Sequence, residues 1–172
     1  QRTDSLFDVV LIDSALPSNG KVYDVEHPLH SALTVSHYAM TTQQENILTN
    51  KTYAKRGTAM TQLIQSCLVN KKILSKNLLI GDRNTIMVSL RVSGYGADYD
   101  VKVTCPKCET ESVQKFALDK LPIRRLELEP VSPGTNLFEF KLPMSKHIVR
   151  FRFLTGADEE EISQTQTNKK KT

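Results

Sequence analysis

Tryptophan is absent from these 172 residues, aromatic side chains supply only 6%, and there are three cysteines. So few rings argue against a rigid aromatic platform for sugars or bases. An odd cysteine count does not suit a secreted disulfide framework and fits a reducing compartment. No run approaches the roughly 18 to 20 apolar residues that cross a bilayer, and no signal peptide is visible. Neither sign of charge dominates: 23 basic residues stand against 19 acidic ones, and a dispersed net +4 does not by itself argue for nucleic acid. Seven glycines and seven prolines are too few for collagen or low-complexity scaffolds, and 39% hydrophobic with 24% charged residues is globular composition. The chain reads as a soluble protein made inside the cell, one domain or two small ones long. Gln1 stands where Met is expected, so we read the sequence as a fragment or a processed product.

Local patterns predict an α+β chain, a small helical segment followed by β-hairpins. Residues 1–15 hold one apolar run, Leu6 to Ile12, with no visible local partner, and read as an extended arm lying against another subunit. Leu16-Pro17-Ser18-Asn19-Gly20-Lys21 is turn chemistry, which predicts a hairpin returning through Val22 and Tyr23, with 27–39 irregular. Thr42-Gln43-Gln44-Glu45 has capping-box spacing and predicts a helix over 42–50. Met60, Leu63, Ile64, Cys67 and Leu68 recur at three and four residues and predict a helix from 57 to 75. Asp82 is the expected N-cap of a further helix that Gly94 stops, although Ile86, Val88, Leu90 and Val92 also alternate like a strand. From Tyr99 to Val103 the alternation predicts a half-buried strand, and 112–118 returns as its partner. A short strand near Leu126 to Leu128, a hairpin from Phe138 to Phe153 and a helix from Gly156 complete the reading. Its segments are 1–15, 16–97, 98–157 and 158–172, with the helices covering the apolar faces of hairpins that are marginal alone.

Cys105-Pro106-Lys107-Cys108 is the strongest chemical motif. Two thiolates three positions apart on a tight turn are half of a tetrahedral zinc site, and the flanking strands resemble a zinc-ribbon knuckle. Two readings follow: structural zinc as cofactor, with Cys105 and Cys108 as metal ligands, or a degenerate knuckle that holds no metal. The other two ligands must come from Cys67, a histidine, a neighbouring chain or residues beyond Thr172, and the last is the preferred source. Thioredoxin-like redox chemistry wants a helix start, which a hairpin does not offer. Cys67, in an apolar run, reads as a buried hydrophobe. His27 and His30 read as surface loop, and His37 and His147 as solvated. No Ser/His/Asp set assembles, and Ser93-Gly94-Tyr95-Gly96 lacks phosphate-loop spacing. A zinc-ribbon nucleic-acid module would show a basic face around Lys102, Lys107 and Lys115. A redox or hydrolytic enzyme would show a cleft of perturbed titratable groups.

One ordered set of residues stands out beside these patterns. Leu16-Pro17-Ser18-x-Gly20, the Thr42–Glu45 helix start, Gly81-Asp82 with Leu90-Arg91-x-Ser93-x-Tyr95-Gly96, Cys105-Pro106-x-Cys108 and Phe153-Leu154-Thr155-Gly156-x-Asp158-Glu159 follow one another along the chain. Together, from about Leu16 to Ile162, they resemble the T4-type baseplate hub protein family of contractile-tailed bacteriophages. The resemblance implies a structural or assembly protein of the virion tail, built in the host cytoplasm and without catalytic activity. Its implied partners are other baseplate and tail-hub proteins, with no small-molecule substrate, membrane or nucleic acid. It also implies a longer chain carrying a second CxxC.

Overall fold

In the computed structural model, which describes residues 10–169, the expected α+β class holds. Strands β1 (Leu11–Ala15) and β2 (Thr34–Tyr38) form the first antiparallel pair, with Ile12 opposite His37 and Ser14 opposite Val35. Part of the expected arm thus has a partner in its own chain; residues 1–9 lie outside the described residues. The hairpin expected to return through Val22 and Tyr23 does not form. Residues 16–33 instead make a loop whose ends are joined by the Leu16 N–H donating to the Leu33 carbonyl (2.8 Å). Leu16, Val22, Tyr23 and Leu29 all enter the core from this loop, and their burial outweighs local strand preference. Gly20 makes the folding-back possible. Its φ is +69°, and a Cβ there would stand 2.3 Å from the Leu29 carbonyl oxygen.

Three helices follow. Helix α1 (Thr42–Thr49) starts as expected but is capped one residue earlier, with the Thr41 N–H donating to Gln44 Oε1 (3.1 Å). The expected 57–75 helix is shortened to α3 (Ala59–Cys67), and a further helix that was not expected, α2 (Lys51–Arg56), precedes it and ends on left-handed Gly57. Two interactions end α3. Leu68 forms an isolated bridge with His37, and the Asn70 side chain accepts from the Lys72 N–H (3.0 Å) in a turn. Cys67 is 1% exposed among apolar side chains, as its sequence context implies.

The ambiguous run beginning near Ile86 is helical, within α4 (Ile80–Tyr95). Asp82 is not its cap. The helix begins after Leu79, and Asp82 turns inward from the first turn to accept from the Ser18 N–H (2.9 Å) and the Tyr23 hydroxyl (2.6 Å). Burial first, then Asp82, pushes the Tyr23 hydroxyl's pKa far above its usual value. The adjacent Arg83 is also buried. Its guanidinium donates to Thr61 Oγ1 at 3.2 Å and lies 3.6 Å from the Glu159 carboxylate. Glu159 belongs to α5 (Gly156–Lys169), whose first residue is a glycine; a Cβ there would meet the Arg83 guanidinium and require that side chain to shift.

Two more hairpins complete the described chain: β3 (Asp98–Thr104) with β4 (Glu111–Ala117), and β5 (Phe138–Lys141) with β6 (Ile148–Phe151). The expected strand at 126–128 is absent, since the Leu126 N–H donates across to the Pro17 carbonyl (2.7 Å) instead of to a sheet. Phe138 anchors the second hairpin in the core, edge-on to Phe153 at 5.0 Å between ring centroids.

His37 also departs from expectation, being fully buried rather than solvated. A carbonyl can only accept, so Nδ1–H donates to the Tyr38 carbonyl (3.0 Å) and the Ser14 hydroxyl donates to Nε2 (2.8 Å). Burial holds the imidazole's pKa below its ordinary value near 6.5. The core thus favours neutral His37, and below that pH the unfolded chain binds more protons than the folded one. Stability present above that pH is lost as pH falls towards the depressed folded value. Measured as urea midpoints from about pH 7 to 5, His37→Gln is expected to give a flatter profile than the parent chain; parallel profiles contradict the assignment. Gly20→Ala is expected to cost at least about 2 kcal/mol in the same assay, from left-handed strain plus the clash with backbone atoms.

Candidate functional site: the projecting hairpin and its thiol turn

The β3–β4 hairpin is held mainly by its own ladder. Asp98 pairs with Ala117, Tyr99 with Phe116, Val101 with Gln114 and Val103 with Ser112, down to Thr104 with Glu111. Opposed residues share a face, so Tyr99, Val101, Val103 and Phe116 lie together. The expected helical cover does not reach them: Tyr99 is 43% exposed, Val103 42% and Phe116 47%. At the hairpin's base, Arg91 of α4 places its guanidinium carbon 4.9 Å from the Tyr95 ring centroid and 5.7 Å from that of Tyr99. Its Nη1 also donates to the Gly96 carbonyl (3.0 Å), which fixes the angle at which the chain leaves the helix.

The opposite face is mixed in charge. Lys102 and Lys115 share it with Asp98, Asp100 and Glu111, and Lys115 sits 4.0 Å from Asp100. Acids interleave the lysines, so the continuous basic face expected of a nucleic-acid module does not form here.

Cys105 and Cys108 lie on the turn at the hairpin's tip, as the spacing predicts. The Cys105 N–H donates to the Thr110 carbonyl (3.0 Å) and the Glu109 N–H to the Cys105 carbonyl (2.9 Å), closing the turn. Both thiols are free; Cys105 is partly covered, and Cys108 and Lys107 are exposed. Cys108 Sγ is 3.4 Å from Thr110 Oγ1. Hydrogen bonding from Thr110, then from its backbone and from Cys105, lowers the Cys108 pKa. Among the described residues, no third histidine, cysteine or carboxylate joins them in a metal-sized cluster. Cys67 remains in the core. His27 Nδ1 accepts from the Leu29 N–H (3.1 Å), and His30 Nδ1–H donates to the Tyr23 carbonyl (2.7 Å). The donor set fits zinc chemically but supplies half of it.

A groove of about 480 Å³ runs between β1, the outer side of α4 and residues 118–124, with Val88, Val92, Leu121 and Ile123 in its walls. No helix of the described residues is long and apolar enough to cross a membrane.

The family model described as T4 bacteriophage base plate protein matches residues 11–167, from β1 into α5. The chain belongs to this baseplate protein family. No curated protein and no solved structure matches it. As a baseplate protein it is a structural component of the phage baseplate. The match begins at Leu11, so β1 belongs to the family's domain along with the loop it frames. Sequence reasoning found the thiol turn from its spacing but missed the Tyr99–Phe116 face. Alternation marks which side of a strand is apolar and does not say what covers it.

At neutral pH Cys108 is expected to alkylate faster than an ordinary exposed thiol, because more of it is thiolate. Peptide mapping after brief iodoacetamide treatment over a pH series reads this directly. Thr110→Val should move the Cys108 midpoint upward; an unchanged midpoint removes the hydrogen-bond explanation.

Proposed function

We propose that this baseplate protein is a hub subunit that docks on its neighbours through the uncovered face of the β3–β4 hairpin. The carrying observation is the exposure of Tyr99, Val103 and Phe116 side by side on a two-stranded sheet. A hairpin of this size is marginal alone, and an aromatic pair in water gains most by being buried against a partner. The ordered motifs from Leu16 to Glu159 support the hub placement. On this reading the protein is assembled in the host cytoplasm, is carried in a contractile tail and catalyses no reaction. Binding holds the hairpin in one orientation, which the Arg91 contacts at its base already favour. The apolar groove beside α4 offers a second contact on the same body.

Complementation of a phage lacking the subunit tests this proposal. A Tyr99→Ser/Phe116→Ser double variant is expected to keep its thermal midpoint, because neither side chain lies in the core. Truncating an aromatic anchor at a buried contact costs about 2–4 kcal/mol of binding, so sedimentation should show the variant missing from baseplates. Full incorporation of the double variant overturns the proposal.

A further inference from the structure

Within the 16–33 loop, Asn19 is followed by Gly20, whose backbone nitrogen carries no side chain to shield it from the asparagine amide. In an open chain that pair reacts with itself. The Gly20 nitrogen attacks Asn19 Cγ, the new N–Cγ bond displaces ammonia, and water opens the resulting five-membered imide. Opening at one carbonyl leaves aspartate. Opening at the other leaves isoaspartate, in which the main chain runs through Cβ and Cγ. Water is the only co-reactant, and nothing is oxidised or reduced.

The folded geometry opposes ring closure. Asn19 has a φ of +53°, which confines a residue with a side chain to the left-handed region. There the Gly20 nitrogen lies nearly opposite Cβ about the Cα–C bond, whereas the imide ring needs the two eclipsed. Both reacting groups are also held. The Gly20 N–H donates to Ser18 Oγ (3.1 Å) in a buried contact, and Arg125 Nη1 donates to Asn19 Oδ1 (2.7 Å). Arg125 is placed there by the neighbouring bond from the Leu126 N–H to the Pro17 carbonyl. A guanidinium on Oδ1 polarises the amide, which favours attack only when a nucleophile is in reach. With the Gly20 nitrogen turned away, the same bond is a clamp. We propose that Asn19-Gly20 is a deamidation site that the folded loop and Arg125 keep closed, and that it reacts when the loop lifts from the core. Lifting withdraws Leu16, Val22, Tyr23 and Leu29 from the apolar interior, so the open fraction is small. The product decides whether the loop can return. Aspartate keeps the backbone length and accepts from Arg125 as the amide did, with charge assistance. Isoaspartate adds a main-chain atom beside Gly20, where even a Cβ would meet the Leu29 carbonyl, so that product holds the loop open. Nothing in this chemistry depends on the docking face of the β3–β4 hairpin.

The test is incubation of the full chain at mildly alkaline pH, with and without urea above its unfolding midpoint, followed by peptide mapping. Mass spectrometry reads amide-to-acid conversion at Asn19, and isoaspartyl methyltransferase labelling separates the two products. Conversion is expected to be slower in the folded chain by at least about tenfold, because reaction follows the open population. Arg125 is exposed, so Arg125→Ala should keep the urea midpoint while raising the folded-state rate severalfold and leaving the rate in urea unchanged. After modification in urea, chains carrying aspartate should refold and chains carrying isoaspartate should not. Equal folded and unfolded rates overturn the proposal. So does a faster folded rate, since Arg125 would then be activating the amide in place. An unchanged folded-state rate in Arg125→Ala overturns the clamp, and refolding of the isoaspartate chains overturns the one-way opening. The Tyr99→Ser/Phe116→Ser variant is expected to deamidate like the parent, so this proposal and the docking reading fail separately.

Discussion

Two neighbouring charges, Asp82 and Arg83, enter the interior from the first turn of α4, and the body is arranged around satisfying them. A buried charge without partners costs several kcal/mol, so each fixes the segments that serve it. Asp82 holds the 16–33 loop through Ser18 and Tyr23, and the Tyr23 hydroxyl in turn accepts from the Leu79 N–H (3.2 Å). Arg83 reaches the other way, to Thr61 of α3 and Glu159 of α5. Because the two residues are adjacent, neither set of contacts can shift without turning the helix and straining the other. Apolar packing supplies the driving force; this polar pair selects one arrangement among many compact ones.

Stability is therefore uneven across the molecule. The loop, α3, α4 and Phe138 share one core, whereas the β3–β4 ladder extends from it with little beyond its own hydrogen bonds. Elements with few buried contacts open most easily, and they are also the ones whose surface is available to a neighbour. A subunit built for assembly gains from that division. The core keeps its shape before assembly, while a projecting hairpin can be stabilised by the contact it makes.

Legibility in the sequence followed the range of the deciding interaction. The starts of α1 and α5, the course of α4 and the two later hairpins rest on neighbours a few residues apart, so capping spacing, alternation and turn residues exposed them. Strand β2 could not be read this way. Its partner strand lies 19 to 27 residues earlier, and Asn19-Gly20 marked a turn without revealing that the loop would fold into the core. Asp82 was misread as a cap because its partners, Ser18 and Tyr23, are some sixty residues away. His37 was misread for the same reason, its ring resting on Ser14 across the strand pair. At the candidate site the spacing of Cys105 and Cys108 is local and was visible. The missing cover over Tyr99 and Phe116 is a fact of tertiary arrangement that no alternation encodes.

The glycine at the head of α5 links the end of the chain to its centre. Where any other residue would carry a side chain, the Arg83 guanidinium occupies the space, so the helix acts as a stopper over a charge. Glu160 strengthens the seal through the Thr61 hydroxyl, the same group that Arg83 contacts. Lifting the helix would admit water to the guanidinium and loosen α3 and the segment around Ser75 together. The last described helix thus covers the most buried cation among the described residues.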